Sequence, residues 1–162
     1  MGMFDWFRRL TGQGDAAPGN RDAAPPSAAE TEAGGLDFYK AIEAHQRWKV
    51  RLSAYVNGES AESLDWTVIC RDDQCALGQW LHGGARAPMG HEGLFSRLVE
   101  EHAQFHQCAG EVVQLADRGN KDAALKLIGT GAYARASRQV ISSLGQLFLA
   151  IREPAQVQDA NV

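Results

Sequence analysis

The chain has 162 residues, 44% hydrophobic and 22% charged, with a formal net charge of -4 and a pI near 5.7. That length suits one compact domain with flanking segments, and the acidic balance excludes the basic face that nucleic-acid recognition needs. No apolar run approaches the roughly 20 residues that span a bilayer, and the start lacks the apolar stretch of a signal peptide, so the expected location is cytoplasmic. Cys70, Cys75 and Cys108 are an odd set for such a compartment, and they read as free thiols, redox-active thiols or metal ligands rather than structural disulfides.

In chain order, residues 1–10 include MFDWFRRL, which places Met3, Phe4, Phe7 and Leu10 on one helical face with Arg8 and Arg9 off it. A short amphipathic segment of this kind touches a membrane surface peripherally or docks on a partner; the plain alternative is a segment folded back on the protein, or an unstructured start. It is not a myristoylation site, because Trp6 stands where Ser or Thr is required. Residues 11–35 are rich in Ala, Gly and Pro and hold no large apolar side chain. Such a stretch cannot offset its ordering entropy by burial, and it is expected to be a disordered linker. The folded domain is expected over 36–152, followed by a disordered tail over 153–162.

Within that domain the first helix is predicted over Asp37–Val56, with Phe38, Ile42, His45, Lys49, Leu52 and Val56 as its stripe and Asn57-Gly58 as its stop. The second is predicted over Glu92–Asp117, with Phe95, Leu98, Val99, His102, Phe105, His106, Ala109, Val112, Val113 and Ala116 sharing a face. Helices over Lys121–Ile128 and Ala132–Ile151 complete the set. Between the two long helices a short helical piece over Cys75–Leu81 lies among Asp-rich and Gly-rich turns. No segment alternates as a strand followed by a hairpin turn would. The predicted fold is all-α, a four-helix bundle with a short extra helix.

His102 and His106 are four apart on a strongly periodic helix, so both imidazoles share one face and can share one metal. That face is otherwise apolar, and an imidazole pointed at a core needs a partner. Alone, such a pair is as often a pair of core or surface histidines. His45 occupies the buried stripe of another helix and brings a third imidazole toward the same interior, the way bundles assemble metal sites. Cys75 opens the short helix, where unpaired N–H groups and the helix dipole favour a thiolate, and it is the candidate fourth ligand. Three imidazoles and one thiolate suit tetrahedral Zn²⁺, and four protein ligands leave no open position for a catalytic water.

These residues resemble the chemoreceptor zinc-binding domain family, whose pattern joins an H-x-x-aromatic, a C-x-L-G-x-W element and an H-x-x-x-H. Here they are His45-Gln-Arg-Trp48, Cys75-Ala-Leu-Gly-Gln-Trp80 and His102-Ala-Gln-Phe-His106, with 26 residues between the first pair of elements and 21 between the second. The resemblance covers the predicted domain from about residue 36 to 151. It implies a non-enzymatic cytosolic regulatory module that holds Zn²⁺ through His45, Cys75, His102 and His106, pairs as a homodimer, and serves a signalling protein such as a chemoreceptor or a diguanylate cyclase. It further implies that the zinc-bound Cys75 acts as a redox switch for oxidants such as hypochlorous acid, by losing the metal when oxidised. With no second domain in the sequence, the signal is expected to pass to another protein, or the domain to act as a stand-alone sensor of zinc or oxidants.

Around these residues, Trp48 is expected to wall the site, Leu77 and Trp80 to pack the short helix, and Gly78 to permit a close backbone approach. Asp72 and Asp73 are expected to cap the short helix, the alternative being that they orient ligand imidazoles. His82 and His91 are expected to be exposed, and Cys70 and Cys108 to be small buried or semi-exposed residues, Cys108 pointing away from the ligand face; the alternative for Cys70 is that it traps an oxidised Cys75 as a disulfide. The competing readings are a structural adaptor stapled by zinc and a hemerythrin-like di-iron bundle. The second needs inward carboxylates, and Glu101 lies one position off the His102 stripe.

Overall fold

A computed structural model describes residues 27–83 and 91–152. The amphipathic segment 1–10, most of the 11–35 stretch and the 153–162 tail therefore lie outside the described residues. The described chain is α1 (Ala28–Thr31), β1 (Glu32–Ala33), β2 (Leu36–Asp37), α2 (Phe38–Asn57), α3 (Trp66–Ile69), α4 (Ala76–His82), α5 (Glu92–Asp117), α6 (Lys121–Gly129) and α7 (Ala132–Arg152).

The four longer helices begin and end within a residue of where hydrophobic period and stop signals put them. Asp37 caps α2 by accepting from the Lys40 N–H at 3.1 Å. Gly58, at φ 72°, closes it: its N–H donates to the Tyr55 carbonyl at 3.0 Å and the Glu59 N–H reaches back to Ala54 at 2.9 Å. A side chain at that left-handed position would clash with its own carbonyl, so glycine is the natural stop. One detail of the predicted stripe differs: Lys49 is exposed, and the buried face of α2 runs through Phe38, Ala41, Ile42, His45, Leu52 and Val56 with Trp48 half-buried. The 3.6-residue period drifts past Lys49, and its ammonium is better placed in water.

Helix α5 is central: α7, α6, α3 and α2 all pack on it, and α2, α6 and α7 pack on one another. Leu52, Leu98, Phe105, Val112, Tyr133, Leu144 and Leu147 are completely buried where these helices meet, and each of the Leu, Phe and Val side chains is worth about 1.5–3 kcal/mol of transfer free energy. An aromatic chain ties the bundle to its short elements. Phe38 lies 5.2 Å from Phe148 and 6.0 Å from Trp80, and Trp80 lies 5.6 Å from Phe95.

Ordered structure also starts upstream of Leu36. Residues 32–37 form an antiparallel pair, Glu32 with Asp37 and Ala33 with Leu36. The Trp80 indole N–H donates to the Gly34 carbonyl at 2.8 Å, and the Arg152 guanidinium donates to the Glu30 carbonyl. Composition argued for a linker here because the segment has little to bury; backbone carbonyls taken up by Trp80 and Arg152 supply what its side chains do not. Among the described residues no helix is long and apolar enough to cross a membrane.

Candidate metal centre

Helix α2 presents His45, helix α5 presents His102 and His106, and the residue before α4 is Cys75. All three imidazoles are buried, at 3%, 0% and 4% exposure in that order, while Cys75 is half-buried. One donor atom from each of the four lies within 4.8 Å of the others, and among the described residues no other group of three or more His, Cys, Asp or Glu side chains converges in this way. The rings stand close: 4.6 Å between His102 and His106, 5.3 Å between His45 and His102, and 6.4 Å between His45 and His106.

Hydrogen bonds fix which nitrogens are available. His45 Nδ1 lies 2.6 Å from the Ala41 carbonyl, one turn back on α2, and His106 Nδ1 lies 2.7 Å from the Ile69 carbonyl on α3. A carbonyl only accepts, so both rings carry their proton on Nδ1 and keep the Nε2 lone pair free. The Nε2 of His106 is buried with no hydrogen-bond partner. His102 Nε2 lies 3.2 Å from Cys75 Sγ, and its Nδ1 is likewise buried and unpartnered. Cys75 is the N-cap of α4, its sulfur accepting from the Gly78 N–H at 3.3 Å. Glycine at 78 allows this turn to form, since a Cβ there would sit 1.6 Å from the Asp72 carbonyl oxygen.

The electrostatics describe a site tuned for a cation. Burial, strengthened by His106 and opposed by the Ala41 carbonyl, lowers the His45 pKa to about 4. Burial and the neighbouring imidazoles lower His102 to about 2. Burial also lowers His106, although the Ile69 carbonyl and the carboxylates of Asp72 and Asp73 oppose it. Three neutral rings thus aim lone pairs at one point at neutral pH. For Cys75 burial outweighs the backbone N–H groups of Gly78 and Leu77, and the thiol is raised above its ordinary value. The helix start alone therefore does not produce the thiolate expected from the sequence. A bound cation does, because a coordinating thiol is deprotonated outright.

The residues around the four donors divide between expectation and surprise. Trp48 borders the site, with Arg51 stacked 4.3 Å over its ring, and Leu77 is buried under α4. His82 is exposed and pairs with Asp72 at 2.9 Å. Asp72 and Asp73 do not cap α4: Cys75 takes that place itself, and Asp73 is held by Arg71 at 3.0 Å and by Gln74 at 3.0 Å. Cys108 is buried and accepts from the Gln104 amide at 3.3 Å, and the Cys70 thiol donates to the Thr67 carbonyl at 3.4 Å; neither belongs to the donor group. Glu101 turns from the site to accept from the Ser143 hydroxyl, so no carboxylate joins the donors, as a di-iron centre would require. Sequence reasoning missed the Ala41 and Ile69 carbonyls, which are backbone atoms with no side-chain signature. It also missed α3, although Asp65 accepting from the Thr67 N–H at 2.9 Å is a helix cap that LDWTV could have suggested.

Fold and donor set together define a metal-binding helical bundle: an ion is the natural partner for the orphaned, buried Nε2 of His106, and imidazole with sulfur suits Zn²⁺ over Mg²⁺ or Ca²⁺. Residues 45–113 match the family model described as the chemoreceptor zinc-binding domain, a span that opens on His45 and contains Cys75, His102 and His106. Over that span the chain is similar to the zinc-binding regulatory domain of that family, and the similarity together with the four clustered donors supports Zn²⁺ as the metal. No curated protein and no solved structure matches the chain.

Proposed function

We propose that His45, Cys75, His102 and His106 hold one Zn²⁺ in a site without an open position, and that the domain is a sensor rather than an enzyme. The observation that carries this reading is the convergence of four donors within 4.8 Å of one another, among buried imidazoles of which His106 keeps an unpartnered Nε2. Bound there, the ion supplies a staple between α2, α5 and the start of α4, and keeps Cys75 as a thiolate. The chain's own part is to orient: Ala41 and Ile69 hold two rings by Nδ1, and Gly78 seats the sulfur.

The sensing step assigned to Cys75 is oxidation by a two-electron oxidant such as hypochlorous acid. The sulfur attacks chlorine, hydroxide leaves, and water then replaces chloride at sulfur to give the sulfenic acid. Sulfur loses two electrons and chlorine gains them. A sulfenic acid is a poor ligand, so α4 loses its tie to α5. Cys75 is the one donor residue that is not fully buried, which supports its place as the reactive group. The readout belongs to a partner, a chemoreceptor or a diguanylate cyclase in a cytoplasmic setting, with the domain acting as a homodimer over residues 36–152. The segment 1–10 serves peripheral membrane or partner contact, and 11–35 and 153–162 serve as connections.

Zinc content of purified protein tests the site: about one ion per chain is expected by the four-ligand count, lost in both Cys75→Ala and His102→Ala. Hypochlorous acid titration tests the sensor. Stoichiometric zinc release with sulfenic acid at Cys75 supports it, whereas zinc retained after Cys75 is oxidised, or a partner that stays bound throughout, leaves a structural adaptor.

A further inference from the structure

Helix α3 has four residues and packs chiefly on α5. Its outer face is open, with Trp66 40% and Val68 51% exposed, and Ile69 is the residue it buries. A helix this short has little surface to hold it, so its height above α5 is set by what lies directly beneath. That residue is Gly110. It is buried, its backbone is ordinary right-handed helix, and it stands one turn after His106 on the same face. Glycine inside a helix costs stability relative to alanine, and the geometry of α5 itself gives no reason for one here. The reason lies across the contact. A Cβ at 110 would stand 3.0 Å from the Cys70 Cβ, 3.3 Å from the Trp66 carbonyl oxygen and 3.5 Å from the Cys70 nitrogen. Two carbons in unstrained contact stand about 3.5–4.0 Å apart.

Resting on the four-ligand reading above, we propose that Gly110 is a positioning residue for the metal centre: its missing side chain lets α3 settle low enough for the Ile69 carbonyl to fix the His106 ring. The bond concerned runs from His106 Nδ1 to that carbonyl at 2.7 Å. The Nε2 has no partner, so this bond alone sets where the ring carries its proton. A methyl at 110 asks α3 to rise by about 0.5–1 Å. That stretches the bond to about 3.2–3.7 Å, at or beyond the limit of a hydrogen bond. A ring freed from the carbonyl can place its proton on Nε2, the nitrogen that faces the other donors, and so lose the lone pair a metal needs.

The test is an exchange of size across the contact, read in two ways. Zinc affinity is measured by competition with a chromophoric chelator, and the His106 ring proton by long-range proton–nitrogen correlation in the zinc-free protein. Wild type should carry that proton on Nδ1; a proton on Nε2 overturns the proposal with no variant needed. Gly110→Ala should weaken zinc binding by about tenfold to 100-fold, the usual effect of losing the group behind a metal ligand, and move a share of the proton to Nε2. Cys70→Gly removes the carbon that the new methyl meets most closely. The double variant should therefore bind zinc to within about threefold of Cys70→Gly alone. Gly93→Ala, earlier on α5 with nothing within 4 Å of an added Cβ, should change neither reading. Weaker zinc binding with the proton still wholly on Nδ1, or a loss that Cys70→Gly does not relieve, overturns the positioning role in favour of general packing. Unchanged zinc binding and ring proton in Gly110→Ala overturn this proposal alone. Wild-type protein that binds no zinc overturns the four-ligand reading and this one together.

Discussion

His45, His102 and His106 stand within helices of 20 and 26 residues, whereas Cys75 caps a helix of seven that follows a stretch of turns. The helical side is anchored twice over. Its rings are wedged against Phe105, which lies 5.0 Å from His45 and 5.4 Å from His106, and two of the three are held by backbone carbonyls. The sulfur side depends on a smaller set of ties: one cap bond to Gly78, one close approach of Gly78 to Asp72, the buried face of α4 made by Leu77 and Leu81, and Trp80 packed on Phe38 and Phe95. The difference teaches where a metal is needed. Long helices bury enough surface to hold their place in the bundle, while a seven-residue helix is too short to be stable by itself in water, and an ion held as proposed above would tie it to α5.

The largest expected effect follows from removing the metal. Chelation should leave the helical side folded and loosen the sulfur side. Hydrogen exchange should accelerate by about 100-fold at the amides of Gly78 and Gln79, and by less than about tenfold at Val112 and Val113. Equal acceleration in both would mean that the ion holds the entire bundle rather than its short helix.

Gly78→Ala sharpens the contrast from the covalent side. The new methyl meets the Asp72 carbonyl, and the turn must open, at about 2–3 kcal/mol in chemical denaturation with weakened zinc binding. Gly129→Ala, where an added Cβ meets nothing within 4 Å, should stay within about 0.5 kcal/mol. Similar losses in the two variants would remove the special role given to the α4 turn.

A smaller effect concerns pH in the zinc-free protein. The His45 pKa falls from 6.5 to about 4 on folding. Between those values the unfolded chain holds a proton that the folded chain does not, so stability is full above pH 6.5 and is lost as pH falls toward 4. His45 alone contributes about a tenfold fall in the folding constant per pH unit in that window. Zinc-free His45→Leu, followed by denaturant titration, should show a shallower acid slope; an unchanged slope would place the linkage on other groups.

Much of this molecule is written in side-chain pattern. The stripe of α2, the broad face of α5 and the stops at Gly58 and Gly119 are local signals, and the helices follow them. The four donors were legible for the same reason: histidines at core positions of periodic helices and a cysteine at a helix start are departures from expected residue types. What stayed hidden depends on backbone atoms and on contacts distant in sequence. The Ile69 carbonyl that orients His106, the Gly34 carbonyl taken up by Trp80 and the β1–β2 pair all involve main-chain groups, which every residue carries alike. The balance at Cys75 was also out of reach, since a helix start lowers a thiol pKa and burial raises it, and only the structure shows that burial prevails.

The most direct test of the four-donor centre is the zinc X-ray absorption fine structure of the purified protein. One Zn–S distance near about 2.3 Å with three Zn–N distances of about 2.0–2.1 Å is the expected result. A first shell without sulfur, or one completed by carboxylate oxygen or water, would contradict it.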